Sequence, residues 1–492
     1  MLTPIWVRGR RRKRPAEESF NDENPRPIPS GPKGGRPLMS RQAKLDSSQA
    51  KTDKRARLLV AKPTKQRKKL SNLESLPVEL IEKIFLYSLN VNFARCSLPL
   101  IAAISSERIY RALILLAFWD DTSTTAAGTR ASETAISRIL RPLDYSPLRD
   151  ADRRQLQDTI LRCKWCTVQR LLAQLPDLMN LCIQRHWFGA GIVMAPEQED
   201  ALNRFLAQEQ DIRTFEGTDP TSTTTTDDDD DDDDDDNPTH YTLTINPLVS
   251  ITITHHETDQ TTTHPILGVL LIPPNLLQGG PLDSEEEGFT SPAHTNYLET
   301  LRIASGFNRT ALTKPTVTLS RPALQRGIHT ALVENNRKAL TTLLKIDEYH
   351  FRAENTDIDP ASAAMIPYTL PAEHFRTAVR VARRDPVFFQ ILLRASAESV
   401  PADDPEITEW AMQQRDAFGA WLLDLMLHLP EQIEAARTNP AEQAVFYLGR
   451  ANAQRGLARR YLREVLGVEE LGSWLEESTF DVSGLWKIPR ID

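Results

Sequence analysis

Apolar residues in this chain recur mostly at helical spacing, and one central stretch alternates instead. From Pro77 onward Leu80, Ile81, Ile84, Phe85 and Leu89 mark one face of a helix, with Glu79, Glu82 and Lys83 on the other. Ser75 stands where a helix cap is expected, and Pro77 where a first turn tolerates a missing N–H. A second apolar run, Leu98 to Ile104, and a third, Ser106 to Trp119, complete three short helices. Helical patterning resumes at about Ala131 and continues to Gln210. Then Tyr241 to Ile245 and Val249 to Thr254 alternate with period two around Asn246-Pro247, which predicts a β-hairpin, and Ile266 to Ile272 reads as a third short strand.

Four helical segments share one internal spacing when aligned on paired leucines: Leu171-Leu172, Leu343-Leu344, Leu392-Leu393 and Leu422-Leu423. Eleven residues before each pair stands an apolar residue, Ile160, Leu332, Val381 or Ala411, and a polar connector lies between. The pattern predicts a short helix, a tight turn and a second helix. Phe446 to Leu466 reads as a further helix, followed by Trp474, Phe480 and Trp486, a segment suited to cap a stack of helix pairs.

Charge divides the chain. Residues 1–70 hold 20 Lys+Arg against 6 Asp+Glu, so this arm carries +14 and the remainder −22 of the net −8. The arm has two basic clusters, Arg8 to Arg14 and Lys65 to Lys69, and almost no periodic apolar residues. It therefore reads as a disordered tail that could serve nuclear import or contact nucleic acid non-specifically. It has no interleaved aromatics for base stacking, which argues against sequence-specific reading. Asp227 to Asp236 is an uninterrupted acidic tract without the glycine a calcium loop needs, and it reads as a loop insertion. No apolar run approaches the ~18 residues of a membrane span. Four cysteines suit a reducing compartment, nuclear or cytoplasmic.

Candidate chemistry is sparse. Cys163-x2-Cys166 followed by Cys182-x3-His186 has the ligand types and separations of tetrahedral zinc. The neighbours Trp165, Val168, Leu178, Met179, Leu181 and Ile183 point instead to packed thiols, so no metal is expected there. His255-His256 with Glu257 and Asp259 reads as a surface loop. There is no Gly-rich phosphate loop, no Gly-x-Ser-x-Gly elbow and no His-Glu-x-x-His helix, so nothing calls for an enzyme or a cofactor.

The run Leu76-Pro77-Val78-Glu79-Leu80-Ile81, followed by Ile84-Phe85 and Leu89, resembles the opening helix of an F-box. Where many F-boxes carry a valine-cysteine-arginine run and then tryptophan, this chain has Ser105 to Arg111, a variant similar to F-box-like domains of many filamentous-fungal proteins. The resemblance implies that Leu76, Pro77, Leu80, Ile81, Ile84 and Phe85 contact a Skp-type adaptor of a cullin-based ubiquitin ligase, while the rest of the chain holds an unidentified protein client. A scaffold with a degenerate F-box, or a nucleus-associated protein acting through its basic tail, are the alternatives. The helix pairs, Trp410 to Leu423 above all, resemble ankyrin repeats without the Thr-Pro-Leu-His signature. The last two units lie 30 residues apart, near the ankyrin period.

The expected architecture is mainly α. A disordered basic tail (1–70) precedes an F-box-like module (71–119) and a helical region (131–214). A β-hairpin insertion with the Asp-rich loop (215–298) then interrupts the chain before degenerate ankyrin-like helix pairs (299–429) and a helical cap (430–492).

Overall fold

A computed structural model describes residues 71–120, 148–219, 239–280, 288–289, 291–309, 316–355, 368–382, 385–436, 444–452, 455–472 and 474–475. The basic tail, the aspartate tract, Phe480 and Trp486 lie outside them, as does the expected helix start near Ala131. The described part is mainly helical, with one small antiparallel sheet and a two-stranded hairpin.

The chain opens with α1 (Val78–Ser88), a 3-10 turn (Val91–Arg95), α2 (Leu98–Ile104) and α3 (Glu107–Phe118). Ser97 and Ser106 cap the last two, accepting from the N–H of Leu100 and Ile109. Ser75 does not cap α1: its hydroxyl donates to the Asn72 carbonyl at 2.7 Å, and Pro77 itself holds the cap position with no side-chain bond. The segment is joined to the body through its third helix. Every residue of α3 from Ala112 to Phe118 is buried, and the helix packs on α4 (Asp150–Ile160). Leu70–Asp492 forms one compact unit in which this segment's core is continuous with the rest.

Gln157 makes the joint. Fully buried on α4, its amide nitrogen donates to the carbonyls of Ala117 and Gly268 at 2.8 and 2.7 Å, and its oxygen accepts from the N–H of Leu270 at 2.8 Å. One side chain thus bonds a carbonyl in the last turn of α3 and two backbone groups of the irregular chain at 268–270. Helices α5 (Val168–Leu172), α6 (Leu175–His186) and α7 (Pro196–Leu206) follow, and α6 packs on the sheet.

That sheet is a four-stranded meander rather than a hairpin: β1 (Thr214–Asp219), β2 (Thr239–Asn246), β3 (Ser250–His255) and β4 (Thr261–Pro265). The expected hairpin is its centre, with Leu243 opposite Ile253 and Ile245 opposite Ile251, all buried. The strand that extends this hairpin beyond β3 is β4, Thr261–Pro265, not Ile266 to Ile272. The latter run is apolar because it is buried irregular backbone, tied to Thr318 through the N–H of Ile272 and the carbonyl of Leu270.

After α8 (Pro274–Leu277) and α9 (Pro292–Ala304) come three helix pairs. They are α10 (Arg321–Val333) with α11 (Arg337–Glu354), α12 (Ala372–Ala382) with α13 (Val387–Ser396), and α14 (Pro405–Gln414) with α15 (Ala417–Ala436). The paired leucines at 343–344 and 392–393 are buried, as is Leu422, while Leu423 is half-buried. Adjacent pairs are also laced at the surface, Arg376 to Asp404 at 2.7 Å and Arg380 to Glu406 at 2.9 Å.

Phe446 to Leu466 is not one helix. Phe446–Tyr447 and Arg450–Ala451 form a hairpin, β5 and β6, turned by Leu448 and Gly449, both at positive φ. Helix α16 (Gly456–Arg460) follows and runs on through Tyr461–Leu466. Two carboxylates, one buried and one half-buried, latch this hairpin to the helix pairs: Glu348 accepts from the N–H of Leu448 at 2.8 Å, and Glu398 from that of Val445. A fully buried Glu299–Arg302 pair, bidentate at 2.8 Å, takes a further bond from Thr342, and Arg302 also donates to the carbonyls of Phe307 and Leu475.

Candidate functional site

The candidate docking face is built from the turn that precedes α1. Ser71 and Glu74 bond reciprocally: the Ser71 N–H donates to the Glu74 carboxylate at 2.6 Å and the Glu74 N–H to the Ser71 hydroxyl at 3.2 Å. The Ser71 N–H, then the hydroxyls of Ser97 and Ser71, hold the Glu74 carboxyl below the usual carboxylate range. This turn delivers Leu76, half-buried, and Pro77, exposed, to the start of α1.

Helix α1 divides the four expected contact residues it carries into two sets. Ile81 and Phe85 are 3% and 1% exposed and belong to the common core, Phe85 lying beside the Phe93 ring. Leu80 and Ile84, one turn apart, are 46% and 40% exposed. A helix face of i, i+1, i+4, i+5 residues spans more than a right angle, so its two edges can serve different neighbours. Ile81 and Phe85 thus support α1 from within the core. Val78 and Tyr87 on α1, and Leu98 and Ile101 on α2, are also exposed, Leu98 at 80%. Sequence reasoning placed none of these four at the surface. The signal was available for Leu98, which directly follows a capping serine at the start of a seven-residue helix, before a helix can bury much.

Charge frames these positions. Arg108 on α3 meets Glu82 of α1 at 3.0 Å, and the Lys83 ammonium sits 5.8 Å above the Tyr87 ring. On its other side α3 is fixed to the body by two pairs. Glu107 accepts both forks of Arg170, at 3.2 and 2.6 Å, and Arg111 reaches Asp177 at 2.8 Å. The outward residues of α1 thus stand on a backbone braced from behind. An exposed apolar set on braced helices can bind a complementary apolar surface.

The zinc candidates are not brought together. Cys163 donates to the Thr159 carbonyl at 3.2 Å, Cys166 lies 3.4 Å from the Tyr297 hydroxyl, and Cys182 donates to the Pro265 carbonyl. The His186 ring stacks on His264 at 3.6 Å. Burial pushes the Cys166 thiol up to about 12 and raises Cys182 further, so both stay protonated. Burial, then His264 and Arg185, pull His186 down to about 3. Among the described residues no three His, Cys, Asp or Glu side chains are placed to hold a metal ion, and no helix is long and apolar enough to cross a membrane.

Comparison with known proteins adds no relative: no family model, no curated protein and no solved structure matches the chain.

Proposed function

We propose that this protein is a substrate-recognition adaptor of F-box type. It would dock a Skp-type adaptor of a cullin-based ubiquitin ligase through α1 and α2, and hold a protein client on its ankyrin-like helix pairs. The observation that carries the reading is the outward position of Leu80 and Ile84 on a helix whose other edge, Ile81 and Phe85, is locked in the core. Large apolar side chains held at the surface of braced helices favour a partner of like character. The action would be proximity: a client held beside a conjugating machine gains effective concentration without new chemistry in this chain.

The test is capture of purified Skp-type adaptor by the full chain, with Leu80→Asp and Ile84→Asp as controls. Binding that both substitutions abolish supports the reading. Adaptor that fails to bind the unmutated chain would sink it, leaving a scaffold whose helix pairs act alone.

A further inference from the structure

A cavity of about 560 Å³ lies where the end of α3, the start of α4, β4 and the chain after it, the end of α9 and the middle of α11 meet. Its volume is in the range of small-molecule sites, and junctions between parts of a fold are where such sites occur. Apolar walls come from Leu267, Val269, Leu270, Phe307, Val317 and Tyr349. Hydroxyl-bearing residues, Thr263, Ser305 and Thr316, also line it.

The charges are unevenly committed. Arg153 is buried and largely engaged: it donates to the Trp119 carbonyl at 2.7 Å and pairs with Asp120 at 3.0 Å and Asp150 at 3.4 Å, leaving its Nε–H without a bond among the described residues. That single guanidinium engages both carboxylates of the lining. Arg154 is exposed and Arg309 half-buried, and neither has an ion-pair partner among the described residues. Among the described residues of the lining three arginines stand against two aspartates, although the chain beyond residue 70 carries −22. Arginine forks suit planar and tetrahedral oxyanions, and charge-assisted hydrogen bonds are the strong ones.

We propose that this cavity binds a small molecule bearing an oxyanion, phosphate or carboxylate, on an aromatic or apolar body. Arg154 and Arg309 take the anion, and the wall formed by Val269, Leu270 and Val317 takes the body. The site is distinct from the docking face and does not depend on the adaptor reading.

The experiment is titration calorimetry on the full chain with four probes: phenyl phosphate, benzoate, inorganic phosphate and phenol. The expected result is saturable one-to-one binding of phenyl phosphate or benzoate, at least tenfold tighter than phenol or inorganic phosphate. Arg154→Gln and Arg309→Gln each weaken it tenfold or more, and Arg204→Gln, on a distant helix, leaves it unchanged. Both substituted positions are solvent-reached, and a melting curve for each confirms that the fold is kept. The proposal is overturned if neither aromatic oxyanion saturates at millimolar concentration. It also falls if phenol binds as well as its charged counterpart, or if Arg204→Gln weakens binding as much as the cavity variants do.

Discussion

Neighbouring residues on α1 should respond to substitution in opposite ways. Ile81 is buried and Leu80 points outward, so truncating each separates folding from docking. For Ile81→Ala, a side chain 3% exposed is removed from filled space, and such changes cost about 2–5 kcal/mol including the cavity left behind. Against a typical domain stability of roughly 5–15 kcal/mol, that lowers the melting temperature by several degrees. Leu80 is 46% exposed, so roughly half its worth is already realised in the free protein, and Leu80→Ala costs about 1 kcal/mol or less. Leu80→Asp goes further at the docking face. A carboxylate pressed into an apolar interface without a partner costs several kcal/mol, so adaptor affinity should fall ~100-fold or more. The assay is a pair of measurements on the full chain: thermal unfolding by circular dichroism, and adaptor binding by biolayer interferometry. A loss of melting temperature in Leu80→Asp as large as in Ile81→Ala would refute the division of the helix. Unchanged adaptor affinity in Leu80→Asp would refute the docking face.

Other predictions follow from the body of the fold. Arg302→Met should destabilise by about 3–5 kcal/mol in chemical denaturation, because it strands the buried Glu299 carboxylate; replacing both with apolar residues should recover much of that loss. Burial raises the Glu348 carboxyl from its ordinary 4.5 to about 7, so its contribution is fully present below about pH 4.5 and is lost as pH rises through about 7. Glu348→Gln should therefore flatten the fall in melting temperature between those values, and an unchanged slope would contradict the assignment. Iodoacetamide followed by mass spectrometry should modify exposed Cys96 first and half-buried Cys163 later, with Cys166 and Cys182 unreactive until the chain unfolds. Gly449→Ala should lower the melting temperature, since its φ of +73° disfavours a side chain and an added Cβ would lie 2.1 Å from the Trp474 ring.

The helix pairs of 321–436 were legible because burial imposes paired leucines at a fixed distance from an earlier apolar residue. Helical spacing reports such burial directly. The centre of the sheet was legible for the same reason at period two. Its outer strand was not: Thr261-Thr262-Thr263-His264-Pro265 lies at an edge with little buried, so nothing in its composition alternates. Ile266 to Ile272 misled in the opposite sense, since backbone buried under α4 is apolar whatever its conformation. The β5–β6 turn rests on Leu448 at positive φ, a position no propensity would assign to leucine. Within the candidate site, the apolar face of α1 could be read from spacing, but its division could not. Which edge is covered depends on α2 and α3 arriving beside it, and a single helix's pattern does not encode that arrival.

The Glu299–Arg302 knot has a consequence for biosynthesis. Thr342, 43 residues on, completes the acid's bonding early, while one acceptor for the arginine, the Leu475 carbonyl, leaves the ribosome 173 residues after it. Until then that corner of the core is either open to water or short of a bond. The helix pairs can form during synthesis, but the centre they enclose closes only when the final turns arrive, so a ribosome stalled near residue 450 should display a chain that proteases still enter beside α9.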